Sequence, residues 1–413
     1  VNLGRCGGTV ALACGASQTG FGRTGTVDWE TSIQTGTVTA ATGKGYFVNT
    51  TSGGITVNLP AGAAGSIVAV SDYASTADSN NITIAANGAE KINGDTGDYV
   101  ISTKGLAVTL VYADAGRGWK SVTGSDADAT GVSALYVVAT GGSPCSGAVC
   151  GDYKTHTFTG PGTFCVSAAG NACGSNTVDY VVIAGGGGGT NQPPSSGNGG
   201  GGGGFRISNG TATGCYTVSP LATTPTTVPA IPVTVQGYPV VVGGGGAVDA
   251  KGDTSSFSSV SSTGGGSGYI PVGDGGSGGG QGNGNTPPTT PPQGQNGGPG
   301  NFSGGGGAGG TGGAFSGPNT GGPAGIGSYV DMNPAVGEPG PAGRYFSGGG
   351  GGGYPVGSPS GTPGGTGGGG TGAEGAVSAT SGTVNTGGGG GGGGPGGTGG
   401  GGSGIVIIRY KFQ

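Results

Sequence analysis

Eight glycines stand in succession at 387–394, and shorter runs of four to six occur at 185–189, 199–204, 243–246, 304–307, 348–353 and 367–370, among others. Such a run has no side chain with which to bury apolar area. Glycine also gives up more conformational freedom on ordering than any other residue, and fixing each backbone costs roughly 1–2 kcal/mol. Two outcomes are open. The runs stay disordered, as low-complexity composition suggests, or they are held through their own N–H and C=O groups, which need partners wherever water is excluded. For the second outcome the fitting geometry is polyproline II, a left-handed threefold helix with no internal hydrogen bonds. Helices of this kind packed side by side can bond their neighbours in three directions, and the missing Cβ permits close approach. The run 387–394 would then span about 25 Å at about 3.1 Å per residue. Collagen uses a related logic, but no strict Gly-X-Y period holds here.

The glycines are segregated. Of 114 in the 413 residues, 30 lie in 1–180 and 84 in 181–413, and Pro60 is the one proline before Pro144. The chain divides into a leader at 1–25, an all-β domain at 26–124, a linker at 125–134 and a glycine-rich domain at 135–413. In the first domain, β-branched or aromatic runs recur about every ten residues between Gly, Asn, Asp and Ser clusters. They lie at 36–40, 45–49, 55–59, 67–71, 81–84, 99–101, 107–112 and 118–122. Residues 55–59 alternate apolar and polar, as a half-buried strand does. About 100 residues suffice for one sandwich or barrel. In the glycine-rich domain strands are expected at 135–139, 155–158, 163–166, 178–184, 234–242 and 404–411, so they open and close it. The fold class expected is all-β plus polyglycine II, with essentially no α-helix.

Composition also bears on function. Charged residues make up 8% of the chain against a usual quarter, and His156 is the single histidine, which argues against an enzyme. A net charge of −5 offers no basic surface to nucleic acid, and no apolar run reaches the 18 or so residues of a membrane helix. The chain opens at Val1 with neither signal peptide nor initiator Met, and whether processing removed either stays open. Gly275-Gly276-Ser277-Gly278-Gly279 fits a nucleophile-elbow pattern, but any serine in a glycine run does, and the elbow needs a strand, a helix and His and acid partners. Asp95 and Asp98 near Glu90 read as turn residues rather than a calcium loop. No cofactor or metal is implied; neither CxxC nor a second His is present.

Seven cysteines remain: Cys6, Cys14, Cys145, Cys150, Cys165, Cys173 and Cys215. Their spacings suggest local disulfides 6–14, 145–150 and 165–173, with buried free thiols as the alternative and Cys215 left over. Disulfides would imply an oxidising exterior. Aromatics are sparse in the glycine-rich body, and Phe302, Phe315, Tyr329, Tyr345, Phe346 and Tyr354 fall within or beside the loops between runs. They either close bundle ends or sit exposed as anchors for a sugar face or a protein pocket. Loops 280–296, 318–342, 354–363 and 372–386 are the expected recognition surface, since binding is commonly housed on loops carried by a rigid scaffold. Asn49, Asn81, Asn209 and Asn301 open Asn-x-Ser/Thr sequons, read as chance.

Certain blocks also carry a resemblance. Val27-Asp28-Trp29-Glu30, the stretch from Lys44 to Gly53, Val57-Asn58-Leu59-Pro60, and Val108 to Asp114 with Gly118-Trp119 resemble a β-domain common in structural proteins of marine tailed phages. Phe158-Thr159, Gly162-Thr163-Phe164, Asp179 to Ala184 entering 185–189, Ser255-Ser256-Phe257 and the stretch from Gly402 to Tyr410 are similar to the glycine-rich domain of phage fibre tips and other surface adhesins. That resemblance implies a small β-sandwich framing inserted polyglycine II helices, with connecting loops at the tip that bind the host. It further implies a virion appendage exposed on tail or capsid and attached to other virion proteins through the leader and β-domain. The host partner would be a surface glycan or an outer-membrane protein, with neither nucleic acid nor membrane insertion involved. Trimeric and single-chain forms both stay open. The alternatives are a capsid-surface decoration and a secreted cell-surface or filament protein.

Overall fold

The computed structural model describes residues 27–123, 134–172, 174–191, 197–214, 216–223, 226–315, 317, 320–354, 361–375, 377–394 and 397–413. The chain forms two compact units, Val1–Ser133 and Ala134–Gln413. The expected all-β class holds: among the described residues the helical content is one 3-10 turn at Pro220–Ala222.

The first unit holds β1 (Asp28–Trp29), β2 (Val38–Thr39), β3 (Lys44–Val48), β4 (Ile55–Asn58), β5 (Ile67–Asp72), β6 (Ile82–Ala85), β7 (Tyr99–Ile101), β8 (Ala107–Asp114) and β9 (Gly118–Thr123). One sheet runs β1-β3-β5-β8-β9 and the other β2-β4-β6-β7, so the first six strands alternate between sheets. Parallel neighbours need a crossover, and here the crossover from β3 to β5 contains β4 of the facing sheet, as β5 serves β4 and β6. The antiparallel pairs β6–β7, β5–β8 and β8–β9 end this coil. The unit is therefore a two-sheet sandwich that does not close into a barrel. Tyr46, Val48, Val57, Val68, Val70, Ile82, Ile84, Leu110 and Trp119 fill the core from alternate positions, as strand periodicity requires.

The second unit adds β10 (Val137–Thr140), β11 (Ser143–Cys150), β12 (Tyr153–Phe158), β13 (Gly162–Ala169), β14 (Thr177–Ile183), β15 (Phe205–Ile207), β16 (Ile231–Pro232), β17 (Gly237–Val241), β18 (Ser255–Phe257), β19 (Val260–Ser262), β20 (Ser328–Val330), β21 (Glu338–Gly340), β22 (Gly343–Phe346) and β23 (Ile405–Lys411). Sheets β10-β13-β17-β18-β19 and β11-β12-β23-β14-β15 face each other across Phe158, Phe164, Tyr180, Tyr238, Phe257, Val406, Ile408 and Tyr410. The second sheet is covered on its other side too, where Val181, Ile183, Phe205, Ile405 and Ile407 meet Ala308, Val330, Met332 and Phe346. This explains the near-continuous apolar run of β23: a strand buried on both faces has no position left for alternation. A small sheet, β20-β22-β21, lies beside this second core. Glycine runs leave the ends of β14 and β22 and return into β15 and β23, so the sandwich frames the glycine body.

Candidate functional site

Residues 185–190 follow β14 and form the centre of the glycine body. Successive N–H groups of 185, 186 and 187 donate to the carbonyls of Asp253, Gly402 and Gly201; those of 188, 189 and 190 return to the same three neighbours at Ala250, Gly399 and Asn198. The carbonyls of 185–187 accept from Gly265, Gly246 and Gly390, and those of 188–190 from Gly268, Asp249 and Gly393. Every backbone group of this segment is bonded, at 2.8–3.1 Å, to six surrounding segments with a period of three. That period is the signature of the threefold polyproline II helix. The run at 387–394 repeats it: 389 and 392 donate to Gly348 and Gly351, while 390 and 393 donate to Gly187 and Thr190. Runs 199–204 and 348–353 do likewise. No glycine in 185–189, 199–204 or 348–353 has a positive φ, so the runs need glycine for closeness rather than for handedness. A Cβ on Gly186, Gly187, Gly200 or Gly350 would drive into a neighbouring carbonyl oxygen.

Side chains close the rim of this lattice. Glu338 Oε2 accepts the N–H groups of Gly367 and Gly368 at 2.7 Å each, Asp274 Oδ1 accepts that of Asn283 at 2.7 Å, and Ser381 Oγ accepts that of Gly400 at 3.1 Å. Glu374 is wholly buried; its Oε1 accepts the N–H of Gly321 and the hydroxyl of Thr362, while Oε2 has no partner. Three of the five charged residues in the span 254–408 are thus amide caps, a role their rarity there could have signalled.

The runs leave the framework at 183, 346 and 386 and reach their far ends near 190, 354 and 394, which defines a distal end. Three of the six singled-out aromatics meet there. Phe302, Phe315 and Tyr354 come from three separate turns and pack ring to ring at 5.0–5.9 Å between centroids, each partly buried. Phe302 holds a φ of 60°, a conformation in which a bulky residue is an outlier. Its carbonyl accepts from Gly322, and Tyr354 N–H donates to Ala373, so both turns are tied into the lattice directly beneath the rings. Among the described residues no charged side chain takes part in this cluster.

The other three aromatics lie elsewhere. Tyr329 and Tyr345 are cross-strand partners in β20 and β22, 5.5 Å apart at the framework end, beside a cavity of about 190 Å³ lined also by Pro220, Leu221 and Ile326. Phe346 is fully buried in the second core. Of the six candidate receptor-loop aromatics, Phe346 is corrected, being neither in a loop nor exposed; β22 carries Tyr345 and Phe346 back to the sandwich. The expected recognition loop 280–296 is corrected in part for the same reason, since its proline segment sits against β15, where Arg206 donates to the Pro291 carbonyl.

His156 belongs to the sandwich core. Its Nδ1 lies 2.7 Å from the Gly141 carbonyl, which can only accept, so Nδ1 carries the proton and Nε2 accepts from the Tyr410 hydroxyl at 3.1 Å. Burial pushes the imidazole below its ordinary range, partly offset by the Gly141 bond, and Lys154 adds to the lowering. Burial raises the Tyr410 phenol to about 12. Ser277 is buried inside a glycine run rather than on an elbow, its carbonyl accepting from Gly266. Glu90 binds the Trp119 indole and the Gly62 N–H, and Asp95 closes a turn onto Gly97.

Cys145, Cys150 and Cys165 are exposed free thiols, which corrects the 145–150 pairing and, for these three, the buried-thiol alternative; the 6–14 and 165–173 pairings involve residues outside those described. Cys145 lies in the bulge of β11 between Ser143 and Ala148, Cys150 pairs with Tyr153 at the end of that strand, and Cys165 is exposed on β13. Cys6, Cys14, Cys173 and Cys215 lie outside the described residues. Among the described residues no group of three His, Cys, Asp or Glu side chains could hold a metal ion. Sequence reading missed the exposed first-unit cluster in which Trp29 stacks on Phe47 at 4.7 Å and Tyr73 meets Phe47 edge-on at 6.5 Å.

Fold and site together define a β-sandwich that carries a body of backbone-bonded polyglycine helices and presents turns at the far end. Residues 159–411 match the glycine-rich domain family, and the chain belongs to it. No curated protein matches the chain in sequence.

Proposed function

We propose that this protein is a surface appendage of a tailed-phage virion, a fibre-like adhesin whose glycine body holds its distal turns toward the host cell. The observation that carries this reading is the convergence of Phe302, Phe315 and Tyr354 at the end of the body remote from the sandwich. Partly exposed aromatic rings on a rigid support suit a recognition surface, where a few large side chains dominate binding energy. A backbone lattice supplies that support, because it leaves few soft degrees of freedom beneath the rings. The partner is a surface glycan or an outer-membrane protein, contacted through uncharged groups. The leader, Trp29, Phe47 and Tyr73 of the first unit fit attachment to other virion proteins.

The test is adsorption. Soluble protein should bind host cells and compete with phage for them, and replacing Phe302, Phe315 and Tyr354 together by alanine should weaken binding at least about tenfold with the fold intact, as expected for lost hot-spot residues. Wild-type protein that neither adsorbs nor competes overturns the adhesin reading. Gold labelling that finds the protein on cellular filaments rather than particles overturns the virion reading.

A further inference from the structure

The hydrogen-bond period of three exposes an edge where the lattice stops without a cap. Run 243–246 lies outermost and bonds inward three ways: Gly246 N–H to Gly186, Gly246 and Gly243 carbonyls from Gly401 and Gly404, and the Gly244 carbonyl from Asp253. Its other three directions are open. The N–H groups of Gly244 and Gly245, the Gly245 carbonyl and the carbonyl of adjacent Gly401 have no partner among the described residues. Gly244 and Gly245 are both exposed, and Val241 and Val248 flank them at 45% and 44% exposure. Elsewhere on the rim Glu338, Asp274 and Ser381 fill such directions; at 244–245 no side chain among the described residues does.

Glycine persists here although the fold does not demand it everywhere. A Cβ on Gly244 would meet only Asp253 Oδ2 at 3.3 Å, and one on Gly400 only Gly246 O at 3.3 Å and Ser381 Oγ at 3.8 Å. Inside the lattice, the same absence of Cβ is what lets one backbone approach another.

We propose that this edge is a docking surface for a second copy of the chain. Runs 243–246 and 399–404 lie antiparallel, with donors open on the first and the Gly401 acceptor open on the second. Two copies related by a twofold axis place the donor run of each against the acceptor run of the other, an isologous contact that adds a further row to the polyglycine lattice. Like an uncovered strand edge, the open ladder is a template for pairing, and it needs a partner backbone free of side chains, which the chain itself supplies. Val241 and Val248 add apolar contact at either end.

Sedimentation and hydrogen exchange test this on the full chain. Wild type should pass from monomer to dimer with rising concentration, and the amides of 244 and 245 should become at least about tenfold more protected as it does. Gly244→Lys, whose side chain leaves the edge beside Asp253, should remain folded and monomeric, as should Val248→Lys. Wild type that stays monomeric with fast exchange at 244–245, or a dimer unaffected by both substitutions, overturns the proposal.

Discussion

His156 shows how little freedom a single side chain has in this fold. It stacks on Tyr410, meets Phe164 edge-on, and spends both nitrogens on Gly141 and Tyr410. Its folded-state affinity for a proton is depressed by burial, whereas the unfolded chain protonates near pH 6.5. The unfolded state therefore binds more protons in acid, and stability present above about pH 6.5 falls as pH drops toward the folded value. Urea midpoints measured at pH 7.5 and pH 5 should show this loss, and His156→Gln should flatten the dependence; a variant with the wild-type slope would place its origin in another group. Glu374 is another buried titratable side chain with a defined task. Glu374→Ala strands the Gly321 N–H and the Thr362 hydroxyl, and chemical denaturation should register about 1–3 kcal/mol per stranded group. Thr155-His156-Thr157-Phe158 alternates in sequence, which puts His156 on the same strand face as Phe158, but the burial of all four residues was not legible there. Nor was the meeting of Phe302 with Tyr354, because contact between turns 52 residues apart depends on lattice neighbours rather than on local pattern.

At the scale of the element, the run itself was readable and its neighbours were not. Uninterrupted glycine specifies the threefold helix by removing Cβ, but chemically identical runs carry no code for which of them abut. The code lies in the interruptions: Thr190, Asn198, Ser303 and Ser347 begin or end runs, and Asn198 crosslinks three of them through Gly268 and Ser303. Strands β14 and β23 were legible as apolar runs, whereas β15, β20 and β21 are three residues each and fall below any periodic signal. The lattice predicts sharply different costs for one methyl group. Gly187→Ala aims a Cβ at the Gly266 carbonyl and should destabilise the second unit by about 3 kcal/mol or more, the upper range of overpacking. Gly400→Ala meets nothing closer than 3.3 Å and should stay within about 1 kcal/mol of wild type, helped by the lower entropy of its unfolded chain. Equal effects in thermal unfolding would mean that backbone closeness does not set the glycine requirement.

The whole molecule sets two kinds of stabilisation side by side in one chain. The first unit is an ordinary apolar sandwich, whose core runs from Val38 to Trp119. In the second, apolar burial is concentrated in the sandwich and along its second face, while the glycine body beyond is joined almost wholly by peptide hydrogen bonds. Each such bond contributes only about 1 kcal/mol net, so the body depends on their number and on cooperation with the framework. Unfolding exposes apolar surface, which raises heat capacity, and peptide surface, which lowers it; ordinary proteins balance at about 12–15 cal/mol/K per residue. Calorimetry of the full chain should accordingly resolve two transitions. The one belonging to the first unit should show the ordinary increment, and the one belonging to the second should fall clearly below it per residue. Val181→Ala, buried beneath the second face, should lower the second transition and leave the first in place. A single transition, or an ordinary increment for the glycine body, would mean that apolar burial holds that body after all. The rigidity beneath Phe302, Phe315 and Tyr354 would then need another source.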